Sequence, residues 1–136
     1  MIISELRVYD FRQFKSVDDA PGLKITFHKG LNALIGENDS GKTAVIDALK
    51  LILLTQSNEY IRPSDEDFYK PVEGEACSEL KIDCTIAEFT QNEAKNFIEY
   101  LSFTKTGDKV EYTLELHYRA WKEGHKIYQE LRVGDI

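Results

Sequence analysis

Alternating apolar and polar residues predict two strands near the start of the chain. Residues 23–27 alternate cleanly, and residues 2–9 give a first strand with Ile3, Leu6 and Val8 as its apolar positions. Residues 10–14 form the turn that ends the first strand, and Pro21-Gly22 marks the break before the second. We therefore expect an antiparallel pair of strands in the first part of the chain.

The last third of the chain also has a β pattern. Residues 80–86 place apolar side chains at every second position, which indicates a half-buried strand. Residues 110–119 alternate in the same way, residues 122–125 read as a turn, and residues 127–133 carry a final strand. This end of the chain is thus predicted to be a β-hairpin.

Between these β regions lie a short apolar run and a long apolar segment. Leu31-Asn32-Ala33-Leu34-Ile35 is mostly apolar, which is typical of a strand buried on both faces. Residues 43–54 contain no Gly or Pro and only three polar side chains. They predict a helix that is buried on most of its circumference.

Two capping patterns predict shorter helical segments. Ser64, with Asp67 three residues later, can cap a single helical turn between two prolines. Residues 90–93 form a capping box, and the apolar residues that follow have helical spacing as far as Leu101. The second pattern predicts an amphipathic helix of about three turns.

Residues 36–43 carry the most specific chemical signal in the chain, a full match to G-x-x-x-x-G-K-[ST]. In such loops the glycines let successive backbone N–H groups face phosphate oxygens, and a following helix directs its positive end at the same anion. Lys42 supplies a charge for the β- and γ-phosphates, and the Thr43 hydroxyl is placed to bind Mg²⁺. The alternative, a glycine-rich turn that binds nothing, requires neither the Lys-Thr pair nor this spacing.

The predicted ligands are therefore ATP and Mg²⁺. The predicted site consists of Gly36, Glu37, Asn38, Asp39, Ser40, Gly41, Lys42, Thr43 and Ala44, with Lys42 as the catalytic candidate and Thr43 as the metal ligand.

Composition limits the classes of protein to which the chain can belong. Its 136 residues are enough for one domain, and no apolar run approaches the length of a membrane span. No secretory signal is visible at the N-terminus, so we expect a cytoplasmic protein without membrane contact. Cys77 and Cys84, seven residues apart and predicted to lie within one strand, are expected to be free thiols.

The net charge of −7 is concentrated in the middle of the chain. Residues 51–100 carry four basic and eleven acidic side chains, whereas the two flanking segments are each balanced. A surface of this sign repels the phosphates of duplex DNA. We therefore expect little direct DNA binding by this chain.

The N-terminal strands and the loop together resemble ABC-type ATPases of the RecF/SMC group. The residues that carry the resemblance are Asp10-Phe11-Arg12-Gln13-Phe14 and the continuous run from Gly30 to Thr43. Within that group, the loop with Ala44-Val45-Ile46-Asp47-Ala48-Leu49 is most similar to the OLD family of ATP-dependent endonucleases. Residues 60–69 also resemble that family, whereas the likeness over residues 71–136 is loose.

The resemblance implies a fold and a set of partners. It implies an α/β P-loop NTPase fold of the ABC/SMC-head type, with a mixed sheet, antiparallel hairpins and a buried P-loop helix. It also implies ATP held between two heads, a homodimeric parent protein that acts on DNA, and a C-terminal Toprim nuclease domain. Arg12 matches a basic residue of the family that lies near the nucleotide; otherwise it is a turn residue packed on Phe11 or Phe14.

Several elements of a complete ATPase site are missing from the sequence. No apolar strand ends in a pair of acids, no Ser-Gly-Gly signature is present, and no glutamine has the surroundings of a Q-loop. We therefore expect residues 1–136 to be a single N-terminal ATPase subdomain that stops before the Walker B strand, the signature and any Toprim domain. Such a segment is expected to bind ATP with little or no hydrolysis.

Two other classes of function remain open at this point. A small P-loop kinase or GTPase is disfavoured because two strands precede the loop and no Asn-Lys-x-Asp motif is visible. A non-enzymatic module is the other possibility, with an inactive loop and a β-rich end that mediates dimerisation or DNA docking. Aromatic residues of that end could stack on bases, although their alternation with charged residues fits ordinary sheet packing better.

Overall fold

The computed structural model describes residues 2–27, 39–54, 62–96, 99 and 101–134. In this part of the chain we find six strands, two helices and one 3₁₀ turn. In chain order they are β1 (Ile2–Tyr9), β2 (Leu23–Thr26), α1 (Asp39–Leu54), the 3₁₀ turn (Asp65–Asp67), β3 (Glu79–Ala87), α2 (Gln91–Asn96), β4 (Leu101–Thr106), β5 (Lys109–Glu123) and β6 (Lys126–Val133).

The strands form one sheet in the order β2-β1-β3-β5-β4, with β6 also paired to β5. Every pairing among the described residues is antiparallel. The long strand β5 holds two shorter strands end to end along one edge: Leu114 pairs with Leu101 of β4, and Leu116 pairs with Val133 of β6. The run 31–35, which is expected to add a parallel strand to a mixed sheet, lies outside the described residues.

The hydrophobic core lies between α1 and one face of the sheet. Buried positions on α1 follow the spacing of an amphipathic helix, and the strands contribute alternate residues from their inner face. The core residues are Ala44, Val45, Ala48, Leu51 and Ile52 of α1, Leu6, Val8, Leu80, Ile82, Cys84, Leu114, Leu116, Tyr118 and Ala120 of the sheet, and Phe11 and Phe68 at one end. Burial of this apolar surface is the main term that favours folding.

The opposite face of the sheet is polar and carries ion pairs within and across its strands. The Arg7 guanidinium contacts Glu5 at 2.6 Å and Glu115 at 3.1 Å, and His117 Nδ1 lies 2.9 Å from Asp83. At the hairpin end, Trp121 stacks on Tyr128 with ring centroids 5.7 Å apart. These aromatic rings contact each other across two strands, as ordinary sheet packing predicts.

The predictions for the β regions are largely confirmed. The strands predicted at residues 2–9, 23–27, 80–86 and 127–133 are all present, with ends that differ by at most one residue. The strand predicted at residues 110–119 lies within β5, which continues to Glu123, so the predicted turn at 122–125 is shorter than expected. In the turn after β1, Phe11 and Phe14 exchange backbone hydrogen bonds of 3.1 and 2.9 Å. Both cysteines are free, although Cys77 lies just before β3 rather than inside it.

Two predictions about helices need correction. The capping box before α2 is present, with hydrogen bonds of 3.0 and 3.2 Å between Thr90 and Glu93. However, α2 has six residues, and Leu101 belongs to β4 because its backbone pairs with β5 instead of continuing a helix. The prediction that α1 is buried on most of its circumference is right for one side only: Ile46 and Leu53 are 46% and 40% exposed, since the sheet covers a single face.

The two cysteines should differ sharply in reactivity. Burial raises the pKa of the Cys84 thiol to about 11, so that about one part in a thousand is thiolate at pH 8. Cys77 is only half-buried. In the native protein at pH 8, an aromatic disulfide reagent should modify one thiol per chain within minutes, and peptide mass mapping should place it at Cys77. Equal labelling of both thiols before unfolding would contradict the buried position of Cys84.

Candidate functional site

The N-terminal end of α1 is the part of the predicted phosphate loop that the structure describes. The helix begins at Asp39, four residues earlier than the sequence pattern predicted. Gly36, Glu37 and Asn38 lie outside the described residues, as do the side chains of Asp39 and Ser40. Because the first N–H groups of a helix have no partner within it, the backbone of residues 39–41 presents donors at this end.

Lys42, Thr43 and Ala44 follow in the next part of the helix. The side chain of Lys42 is half-buried and that of Thr43 is exposed. Ala44 is 1% exposed and packs in the core, so its methyl group cannot contact a ligand. A cation and a hydroxyl therefore stand beside the helix end, which suits a phosphate group and a magnesium ion.

Arg12 lies in the turn after β1 and reaches the flank of α1. Its Nη2 atom is 2.8 Å from Oδ2 of Asp47, and its Nε donates a 3.0 Å hydrogen bond to Oδ1 of Asp67. The guanidinium carbon also sits 5.1 Å from the centre of the Phe11 ring. One arginine thus joins the β1 turn, the phosphate-loop helix and the 3₁₀ turn.

The backbone at Arg12 is held in a conformation that L-residues rarely adopt. Its φ is +52°, and its N–H donates a 2.7 Å hydrogen bond to the carbonyl of Asp67. Residues without glycine's freedom adopt this region at a cost, which surrounding contacts must offset. Here the hydrogen bond to Asp67 and the paired guanidinium provide those contacts.

Asp67 is the fixed centre of this arrangement. It is 7% exposed, the one buried polar or charged residue among those described. Its Oδ2 accepts a 2.8 Å hydrogen bond from the N–H of Ser64, which is the carboxylate half of the predicted cap; the Ser64 hydroxyl is farther away, at 3.5 Å. Both carboxylate oxygens are therefore engaged, one by a backbone donor and one by Arg12.

The charges of the cluster reinforce one another. Burial alone would lower the pKa of the Arg12 guanidinium, but the hydrogen bonds and charges of Asp67 and Asp47 outweigh that effect and raise it. Arg12 therefore remains a cation throughout the range in which proteins are studied. Asp47 follows Thr43 by four residues, so these side chains lie on one face of α1 a turn apart.

The structure thus places Arg12 beside the helix that the sequence selected, together with two carboxylates that the sequence did not select. The sequence pattern gives Asp67 only a capping role, and Asp47 is one of the three polar side chains in the apolar segment 43–54. A signal for Asp47 was present, because an acid one turn after the loop threonine is an available partner for a nearby cation.

The described part of the chain contains neither a metal-type cluster nor a helix that could span a membrane. No group of three or more His, Cys, Asp or Glu residues is arranged to hold a metal ion there. In those same ranges no helix has the length and apolarity needed to cross a membrane.

Comparison with protein families decides the broader assignment. Residues 1–130 match the family described as the AAA ATPase domain. The chain belongs to this ATPase family. Its curated relatives include a DNA double-strand break repair Rad50 ATPase, DNA replication and repair proteins RecF and a chromosome partition protein Smc, so this ATPase domain is related to the Rad50, RecF and SMC proteins.

Individual relatives are similar over most of the ATPase domain but are much longer than it. The DNA double-strand break repair Rad50 ATPase of Pyrococcus abyssi is 25% identical over 130 residues, which is 96% of this chain and 13% of that protein. The DNA replication and repair protein RecF of Oenococcus oeni is 25% identical over 114 residues, 81% of this chain and 29% of that protein. The chain therefore spans less than a third of either relative.

A solved structure shows the same fold. It comes from a study of ATP-driven dimerisation and DNA-stimulated activation of SMC ATPases, and the match has a TM-score of 0.59 at 19% identity. The alignment covers 97% of this ATPase domain and 70% of the other chain. The expected α/β ATPase fold of SMC-head type is supported at this level.

The Asp67→Ala variant should lose substantial stability. It leaves the Ser64 N–H without its acceptor and removes the buried partner of Arg12, at a combined cost of about 2–3 kcal/mol. Urea unfolding followed by circular dichroism measures the difference. The matched control is Glu66→Ala, an exposed acid of the same turn, which should change stability by less than about 0.5 kcal/mol. Similar losses in both variants would show that Asp67 does not hold this region together.

Proposed function

We propose that this chain is the ATP-binding N-terminal part of an ABC/SMC-type ATPase head. The observation that carries the proposal is the position of the motif: its Lys-Thr pair lies near the N-terminal end of a 16-residue helix packed on an antiparallel sheet. In this arrangement the motif's charge, its hydroxyl and the free N–H groups of the helix converge on one anion site. The relation to RecF, Rad50 and SMC proteins supports a head over a kinase or GTPase.

Each residue of the loop has a defined role in this proposal. Backbone N–H groups of residues 36–41 would bind the phosphates, Lys42 would neutralise charge on the β- and γ-phosphates, and the Thr43 hydroxyl would be the ligand that this chain offers to Mg²⁺. Arg12 contributes a second cation from the β1 turn. Bound Mg²⁺ would withdraw charge from the γ-phosphate, and the protein groups would orient the phosphates beside it.

ATP hydrolysis would require groups that other parts of the protein supply. Phosphoryl transfer needs a positioned water and a second set of cations, which in heads of this type come from a later segment and a second head. The exposed apolar side chains Ile46 and Leu53 on the outer side of α1 agree with a further layer that packs there. We therefore propose that this chain binds ATP·Mg²⁺ with little or no turnover, and that its parent protein is a homodimer.

The finer assignment concerns the parent protein. The loop sequence and residues 60–69 resemble the OLD family, so we propose an ATP-dependent DNA endonuclease with a Toprim domain. The names of the relatives, which refer to double-strand break repair and to replication and repair, support DNA as the partner. The acidic middle segment makes this particular chain a poor surface for DNA.

Replacement of Lys42 tests ATP binding directly. In calorimetric titrations with 5 mM Mg²⁺, the wild-type chain should bind ATP, and Lys42→Ala should weaken binding at least tenfold because it removes the charge on the phosphates. Lys50→Ala is the matched control: it removes an exposed lysine from the same helix, two turns from the loop, and should change affinity less than twofold. Negligible binding by both wild type and Lys42→Ala would refute the proposed function.

Duplex DNA should not bind to this chain. Fluorescence anisotropy of a labelled 30-bp duplex should remain unchanged up to 50 µM protein in 50 mM salt, since a net charge of −7 repels the phosphates. Binding that weakens steeply between 50 and 200 mM salt would instead indicate a DNA-docking surface.

A further inference from the structure

The two carboxylates that hold Arg12 differ in how firmly they are held themselves. The Asp67 side chain is 9% exposed and also accepts the Ser64 N–H at 2.8 Å. The Asp47 side chain is 31% exposed, and its ion pair with Arg12 at 2.8 Å is the contact it makes within the described part of the chain. Asp67 is thus anchored to its own turn, whereas Asp47 stands on the surface of α1.

The two contacts therefore differ in the ease with which they break. An ion pair between partly exposed side chains is weakened by water and salt, so the Nη2–Asp47 contact can be given up at little cost. The Nε–Asp67 contact is sheltered and supported by the backbone hydrogen bond from Arg12 to the same residue. If the guanidinium moves, it moves about Nε, and Nη2 leaves Asp47.

The direction of that motion is set by α1. Asp47 lies one turn after Thr43 on the same face of the helix, and helical side chains lean toward the N-terminal end. The outer nitrogen of Arg12 therefore rests about one helical turn from the proposed phosphate site. A short displacement along the helix would exchange one anion, the Asp47 carboxylate, for another.

We propose that Asp67 is a positioning residue for Arg12, and that Asp47 is a competing partner which Arg12 leaves when a nucleoside triphosphate occupies the end of α1. Asp67 fixes the inner nitrogen so that the outer nitrogens face the helix. Asp47 holds Arg12 in the nucleotide-free protein and so opposes nucleotide binding. This inference rests on the proposed function.

A purely electrostatic effect and the proposed exchange of partners predict opposite changes in ATP affinity for the Asp67→Asn variant. Removal of any carboxylate near an anion site should tighten ATP binding if charge at a distance were the sole effect. The proposal requires instead that Asp47→Asn tightens binding and Asp67→Asn weakens it, although both variants remove one negative charge. It also requires the effect of Asp47 to act through Arg12.

Calorimetric titration of ATP in Mg²⁺ with four variants of the full chain tests this. Asp47→Asn should bind about threefold more tightly than wild type, and Asp67→Asn and Arg12→Ala should each bind about tenfold more weakly. The matched control Glu66→Gln, an exposed acid beside Asp67, should stay within twofold. In the double variant Arg12→Ala/Asp47→Asn the gain should vanish, with the affinity of Arg12→Ala alone.

Two results would overturn the proposal. Unchanged or tighter binding by Asp67→Asn would overturn its positioning role, and a gain from Asp47→Asn that persists without Arg12 would overturn the exchange of partners. If circular dichroism shows that Asp67→Asn is unfolded, the Arg12/Asp47 cycle decides alone, since the side chains of Arg12 and Asp47 are 28% and 31% exposed and their replacement removes no fully buried group. Wild-type binding that is lost in Lys42→Ala keeps the proposed function intact in all these cases; absence of any wild-type binding overturns both.

Discussion

The packing of α1 on the inner face of the sheet determines where the other groups of the domain lie. Ala44 and Ala48 are 1% and 0% exposed, and their small side chains let the helix backbone approach β3 and β5 closely. This packing sets both the depth and the rotation of the helix. Because the rotation is fixed, Asp47 emerges on the side where the β1 turn passes, and Arg12 can reach it.

The two faces of the sheet differ in the contacts that they need. The inner face is apolar and needs a cover, which α1 provides in part. On the outer face Arg7, Thr85 and Glu115 hydrogen-bond to one another across β1, β3 and β5. Such an exposed face can remain in water without another layer, as antiparallel sheets commonly do. In an ATPase head of SMC type, further elements can therefore pack on the α1 side of the sheet while this face stays exposed to water.

Most strands could be predicted because an antiparallel strand with one face in the core has apolar residues at alternate positions, as at Leu80, Ile82 and Cys84. β4 was missed because Leu101 and its neighbours also fit a helical repeat, and only the backbone pairing with β5 decides between them. The loop motif could be found since its chemistry requires fixed residue types. The Arg12 cluster could not, because its members are separated by 35 and 55 positions and meet only after α1 and the 3₁₀ turn have packed.

The pairing of β1 with β3 has a consequence for the order in which the chain folds. Ser4 donates a hydrogen bond to the carbonyl of Thr85, 81 residues away, whereas β5 and β6 meet across a two-residue turn. Closing a long loop costs entropy that local hairpins avoid, so the hairpins can form early and β1 joins late. During synthesis, the edge of β1 that pairs with β3 therefore stays unpaired until β3 has emerged. Because α1 packs on β3 and β5, the helix that carries the proposed phosphate loop acquires its final position only after both strands have emerged, so a ligand bound there would act on a late step of folding.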